Sequence, residues 1–311
     1  MRSHPKPFLP ALAAALALGL AACGGGSGSA GSSALPGPGP APSPTPQGAD
    51  IAAWGDSLTS GIGAADGYSY PERLAGIMGR KVFNGGVSGQ TSDQIAARQG
   101  GAPARLTVQN NTLPGSGSAA VVDQSTFPIS GEGPGDITGS LAGVHGTLSL
   151  SGGTLYFTRD ADGAPQNVPP GSAFHPDTFG IERRVNVLWM GDNNFYDAQG
   201  VEDDIAASAN FTSGKYIVLS LLNASYETQG TDAYNQKMQI NADLARSFAG
   251  HYIDIRSILV SRYDRSNAQD VADHANDVPP SSLRNDAEHL NADGYAIVAQ
   301  QVAAFIQSKG W

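Results

Sequence analysis

A serine, an asparagine and an Asp/His pair occur in this chain in an order that fits nucleophilic cleavage of an ester. They lie in Trp54-Gly55-Asp56-Ser57-Leu58, Gly191-Asp192-Asn193-Asn194 and Asp286-Ala287-Glu288-His289. A serine hydroxyl becomes a useful nucleophile only beside a base that takes its proton, and an imidazole held by a carboxylate is that base. Asp286 and His289 are three residues apart, so one turn can present both side chains together. Among the six histidines, His289 alone has an Asp three residues before it. His175, in Phe174-His175-Pro176-Asp177, is the nearest competitor. Taken singly, Asp56-Ser57 reads as a helix cap and Asp286/His289 as a capping Asp with a surface His. The ordered set is what points to chemistry. Asn193 offers a side-chain N–H to a developing oxyanion, and Ser57 offers its backbone N–H. The glycine-rich Asn84 to Ser92 stretch allows close backbone approach and positive φ, so it too can aim an N–H at a substrate oxygen.

Positioning these groups requires a sheet whose strands end at them. Residues 50–54, 81–83, 185–190, 216–222 and 252–255 have the apolar character and length of strands. Residues 71–79, 91–98, 201–210, 232–248 and 292–308 read as helices. Leu74, Ile77 and Met78 are expected on the buried side of one helix, and Tyr234, Met238, Ile240 and Leu244 on that of another. Strands alternating with helices predict a parallel sheet covered on both faces, a three-layer α/β/α, flavodoxin-like core. Sites in such sheets form beyond the carboxyl ends of the strands, where Ser57 and Asn193 both fall.

Residues 101–184 break the alternation. Turn residues recur at short spacing, and Gly146 to Arg159 alternates around Gly152-Gly153 as a hairpin would. A bare loop of this length is improbable, so an inserted small β-domain is expected. It could bind a sugar or polymer, serve as a lid, or stabilise the fold.

Together these motifs resemble the SGNH (GDSL-type) hydrolase family. The resemblance covers about 49–98 and 185–311, and it implies Ser57 as nucleophile and Asp286 and His289 as its triad partners. It implies an oxyanion hole of Ser57 N–H, Gly89 N–H and the Asn193 side chain. The chain departs at Asn194, where the family usually has Asp, which puts the hydrogen bonds of that loop in question. The implied activity is hydrolysis of carboxylic esters, with short acyl or acetyl esters of a glycan or small molecule as candidates. An acyltransferase would use the same triad, and a non-catalytic surface binding module on the same scaffold is the rival outside enzymes. Gly-x-Ser-x-Gly occurs nowhere in the chain. No metal and no cofactor is expected, because no cluster has zinc-ligand spacing and no phosphate-binding glycine loop with its Lys is present.

The first residues read as an export signal, with Arg2 and Lys6 before an apolar stretch from Phe8 to Ala22. Leu20-Ala21-Ala22-Cys23 looks like a bacterial lipobox, which makes residues 1–22 a signal peptide and Cys23 the lipidated N-terminus. As the sole cysteine, Cys23 excludes an internal disulfide. Residues 23–48, rich in Gly, Ser, Ala and Pro, are expected to be an unfolded tether. The hydrolase domain is then assigned to 49–100 and 185–311, with the insertion between. A lipid anchor predicts attachment to a membrane in the periplasm or at the cell surface, and Gly24 after Cys23 is compatible with the outer membrane. Net charge is −10, and removal of residues 1–22 takes away two cations and no acid. An acidic chain without basic runs argues against a nucleic-acid partner, because phosphate contacts need Lys and Arg clusters.

Overall fold

The computed structural model describes residues 45–129 and 135–311. The expected signal peptide, Cys23 and most of the tether lie outside the described residues. Five parallel strands form the central sheet: β1 (Ile51–Gly55), β2 (Val82–Gly86), β3 (Val185–Trp189), β4 (Tyr216–Leu219) and β5 (Tyr252–Ile253). Their order across the sheet is β5-β4-β3-β1-β2, the flavodoxin-like arrangement with the chain reversing direction beside β1. Every residue of β1 and of β3 is buried, as expected of strands covered on both faces.

Helices α1 (Ser57–Ser60), α2 (Tyr70–Met78), α3 (Ser92–Gln99), α4 (Ala198–Phe211), α5 (Asp232–Ser247), α6 (Ile255–Val260), α7 (Ala268–Ala275) and α8 (Ala292–Lys309) complete the core. One face of the sheet packs Ile51, Ala53, Val187 and Trp189 against α2 and α8. The other packs Trp54, Leu188 and Val218 against the apolar sides of α4 and α5. Full burial of one such side chain contributes roughly 1.5–3 kcal/mol. The buried indoles keep their polar ends satisfied: Trp54 Nε1 donates to Asn186 Oδ1 at 3.0 Å and Trp189 Nε1 to Ser220 O at 3.0 Å.

Two expected helix faces are corrected. On α2, Leu74 is buried and Met78 packs at the edge of the core, but Ile77 points outward, 47% exposed. On α5 the buried stripe is Lys237, Ile240, Asn241 and Leu244, while Tyr234 and Met238 are half-buried. Apolar spacing alone misplaced this face, because two polar residues on it find partners inside.

Residues 105–176 build a closed six-stranded antiparallel barrel. Around the barrel, Ser172–Pro176 neighbours Arg105–Val108, followed by Ser118–Gln124, Thr154–Arg159, Val144–Ser151 and Ile137–Leu141, which returns to Ser172–Pro176. Its interior is filled by Leu106, Leu141, Leu148, Leu155, Phe157 and Phe174. The Gly152-Gly153 turn has φ of +56° and +81°, the left-handed pair that a two-residue hairpin of this twist demands. Closure leaves the barrel no free sheet edge.

Candidate active site

Ser57 stands at the carboxyl end of β1, the first residue of α1. Asp56 caps that helix, its Oδ1 accepting from Leu58 N–H at 3.0 Å. His289 Nε2 lies 3.0 Å from Ser57 Oγ, although 232 residues separate them in the chain. His289 Nδ1 lies 2.9 Å from Asp286 Oδ2. Asp286 Oδ1 also accepts the backbone N–H groups of His289 at 2.7 Å and Glu288 at 2.8 Å. Partial burial works against the Asp286 charge, but these N–H donors and the imidazole outweigh it and hold the carboxyl at about 2. A carboxylate that stays ionised fixes the Nδ1–H tautomer and leaves Nε2 free to accept the serine proton.

The loop that carries this pair is braced from below. Arg284 donates through Nη1 to Asp286 O at 3.1 Å and through Nε to Pro279 O at 2.8 Å. Its Nη2 pairs with buried Asp273 at 2.8 Å. The chain after α1 presses against the same loop at Gly63, where a Cβ would meet Leu290 O at 2.5 Å and φ is +92°. Only glycine fits there, and that fit keeps α1 close to His289.

Gly89 is the third residue of a turn closed by Gln90 N–H to Val87 O at 3.3 Å, with φ of +74°. The Ser57 and Gly89 N–H groups donate to no protein acceptor among the described residues. Asn193 is exposed, and its Nδ2 donates to Gln90 O at 2.9 Å, which leaves the second N–H of that amide unused. Asn194 answers the question its identity raised. Its Oδ1 accepts from Ser92 N–H at 3.0 Å, a bond an aspartate would also make. Its Nδ2 donates to Ser92 Oγ at 2.9 Å, which only the amide can do, and Ser92 Oγ passes its own hydrogen to Asp204 at 2.5 Å.

Sequence reading missed the charges beneath the site. Lys237, 5% exposed, lies 2.8 Å from Glu227 Oε2 and 3.2 Å from Asp192 Oδ1, and donates to Leu222 O at 2.9 Å. Neither Asp192 oxygen accepts a well-directed hydrogen bond among the described residues, so the lysine contact is chiefly Coulombic. Burial raises the Asp192 carboxyl, and Lys237 pulls it back only in part. Fully buried Asp56 is pushed up to about 8, first by desolvation and then by the charge of Asp192. Arg98, also buried, donates to Gln90 Oε1 at 2.7 Å and Gly85 O at 2.8 Å, and desolvation lowers it to about 9. No spacing rule distinguishes these residues from ordinary surface charges on helices.

A cavity of about 200 Å³ opens beside the serine, lined among others by Ser57, Asn193, Phe195, Leu222, Tyr226 and His289. His175 lies on the barrel strand Ser172–Pro176, opposite Ser140, and takes no part in this cavity. Among the described residues no cluster of His, Cys, Asp or Glu could hold a metal.

No family model matches the chain. It is 25% identical over 268 residues to the tail spike protein of Salmonella phage epsilon15. That alignment covers 76% of this chain but only 25% of the phage protein, so the chain spans about a quarter of that relative's length. Among solved structures it resembles the lipase/acylhydrolase from Enterococcus faecalis, at 12% identity and a TM-score of 0.45, covering 83% of this chain and 95% of the other. It also resembles a member of the lipolytic protein G-D-S-L family from Veillonella parvula, at 14% identity and a TM-score of 0.44, covering 82% and 96%.

Proposed function

We propose that the chain is a serine esterase of the SGNH (GDSL) type that cleaves carboxylic esters through an acyl-enzyme. The observation that carries this reading is the continuous Ser57 Oγ–His289 Nε2, His289 Nδ1–Asp286 contact at the carboxyl end of a parallel sheet. His289 takes the Ser57 proton as Oγ attacks the carbonyl carbon. The oxyanion of the tetrahedral intermediate meets Ser57 N–H, Gly89 N–H and the free Asn193 N–H. His289 then gives the proton to the leaving alcohol as the C–O bond breaks. Water, deprotonated by the same imidazole, attacks the acyl-serine and releases the acid and Ser57. No metal or cofactor enters these steps.

The small cavity suits a short acyl group such as acetyl. A larger alcohol then extends past Tyr226, which lines the cavity and is 61% exposed, and past Tyr196, 74% exposed beside the lining Phe195. Tyr226 is fixed by a hydrogen bond to Glu288 and Tyr196 by packing on Phe195 at 4.0 Å between ring centroids. Flat, held aromatic faces at a site's rim suit the apolar face of a sugar ring, in keeping with an acylated glycan as substrate. We further propose that Cys23 carries lipid and tethers the enzyme to a membrane facing the periplasm or the cell exterior. The test of the chemistry is covalent labelling by a fluorophosphonate. Wild type labels at Ser57, and Ser57→Ala, folded by circular dichroism, neither labels nor hydrolyses p-nitrophenyl acetate. Labelling that survives in Ser57→Ala removes the nucleophile assignment.

A further inference from the structure

Gln90 is wholly buried, and each of its polar groups is engaged with a different part of the molecule. Its side-chain Nε2 donates to Pro128 O at 3.0 Å, in the barrel's segment after strand Ser118–Gln124. Its Oε1 accepts from Arg98 Nε at 2.7 Å. Its backbone C=O accepts from Asn193 Nδ2 at 2.9 Å. Its backbone N–H closes the turn that holds Gly89. One residue therefore touches both non-serine donors of the oxyanion hole and the inserted barrel.

The barrel end of this link is firm. Ile129 is 4% exposed within the barrel's apolar cluster, and Phe127 packs against the same cluster. Ala97 of α3 belongs to that cluster too, one residue before Arg98. The Arg98 end is equally fixed. No carboxylate pairs with it among the described residues; its acceptors are Gln90 and the carbonyls of Gly85 and, at 3.5 Å, Gly55. A buried guanidinium with few acceptors cannot release one of them without loss, so Gln90 has little freedom to shift.

We infer that Gln90 is a positioning residue that couples the barrel to the oxyanion hole, which makes the Phe127–Ile129 segment part of the catalytic framework. This rests on Asn193 being an oxyanion donor, as proposed above. Orientation of a transition-state donor is sensitive to small displacements: about 1 Å of misplacement costs on the order of 10²-fold in rate. Freed from Pro128 and Arg98, the Gln90 carbonyl would settle elsewhere and carry the Asn193 amide with it.

The experiment is a double-mutant cycle on p-nitrophenyl acetate with the full chain, measuring kcat and KM separately and correcting for folded fraction by thermal melts. Asn193→Ala lowers kcat by about 10²–10³-fold. Gln90→Met lowers kcat by about 10–10²-fold with KM within about twofold. The double variant stays within about threefold of Asn193→Ala alone, because Gln90 acts through the group already removed. A second variant, Gln90→Glu, keeps an acceptor for Arg98 but loses the donor to Pro128, and behaves the same way if the barrel contact matters. It also serves where Gln90→Met fails to fold. Multiplicative losses in the cycle, or wild-type kcat in both Gln90 variants, overturn the coupling while leaving the oxyanion reading intact. Full activity of Asn193→Ala overturns that reading and the coupling together.

Discussion

Replacing Lys237 by Met removes the one cation between two buried carboxylates without changing the helix propensity of α5. The ion pairs, at 2.8 Å and 3.2 Å, amount to about 5–6 kcal/mol of attraction each at an effective dielectric of about 20. Glu227 and Asp192 are 7% and 15% exposed in their side chains, so water replaces little of that attraction. Part is recovered when a carboxylate takes a proton, which is why removing one partner of a buried pair costs about 3–5 kcal/mol rather than the Coulomb sum. In a domain of this size, that is a fall in Tm of about 6–20 °C.

The pH dependence has a definite sign. Burial already holds the Asp192 carboxyl above its ordinary value, and Lys237 lowers it. Without the lysine it rises further, so the folded variant binds more protons than its unfolded chain, and its deficit grows as pH rises. Urea denaturation of Lys237→Met and wild type at pH 5 and pH 7.5 reads both quantities. The deficit at pH 7.5 exceeds that at pH 5, and kcat falls because Asp192 precedes Asn193, the proposed oxyanion donor. A deficit below about 1 kcal/mol at pH 7.5, or one that does not shrink on acidification, refutes the view that these charges are held by each other.

Asp56→Asn tests the neighbouring carboxyl. Asp56 is protonated at neutral pH because burial and Asp192 push it up to about 8. Wild-type stability therefore declines as pH rises from about 4 to about 8, whereas Asn keeps the cap on Leu58 and has no proton to lose. Relative to wild type, Asp56→Asn gains stability from pH 5 to pH 8 in urea titrations, and a gain that shrinks over that range contradicts the assignment. For location, Cys23→Ser moves the protein from the membrane to the soluble fraction with p-nitrophenyl acetate hydrolysis retained; continued sedimentation with membranes argues against lipid anchoring.

The sequence alone determined the order of the core elements and the identity of the groups that meet at the serine. Alternating apolar strands and helices specify a parallel sheet because each strand must be buried on both faces. Ser57 and Asn193 then have to emerge at the carboxyl ends, and Asp286-x-x-His289 can form its own hydrogen bond within one turn. The Gly152-Gly153 hairpin was equally local, since its turn demands left-handed φ. Closure of the barrel was not legible, because strand pairing such as Ser172–Pro176 with Ile137–Leu141 joins segments more than thirty residues apart. Nor was the inward turn of Lys237 and Asn241 on α5, which depends on partners brought by other elements: the charges of Glu227 and Asp192 for the lysine, and the Leu221 N–H and C=O for the asparagine. The same holds for Gln90. A glutamine beside a glycine turn has no local signal of burial, and only packing the barrel's Pro128 carbonyl above it and Arg98 beneath it places it between the barrel and the Gly89 turn, where it serves the proposed oxyanion hole.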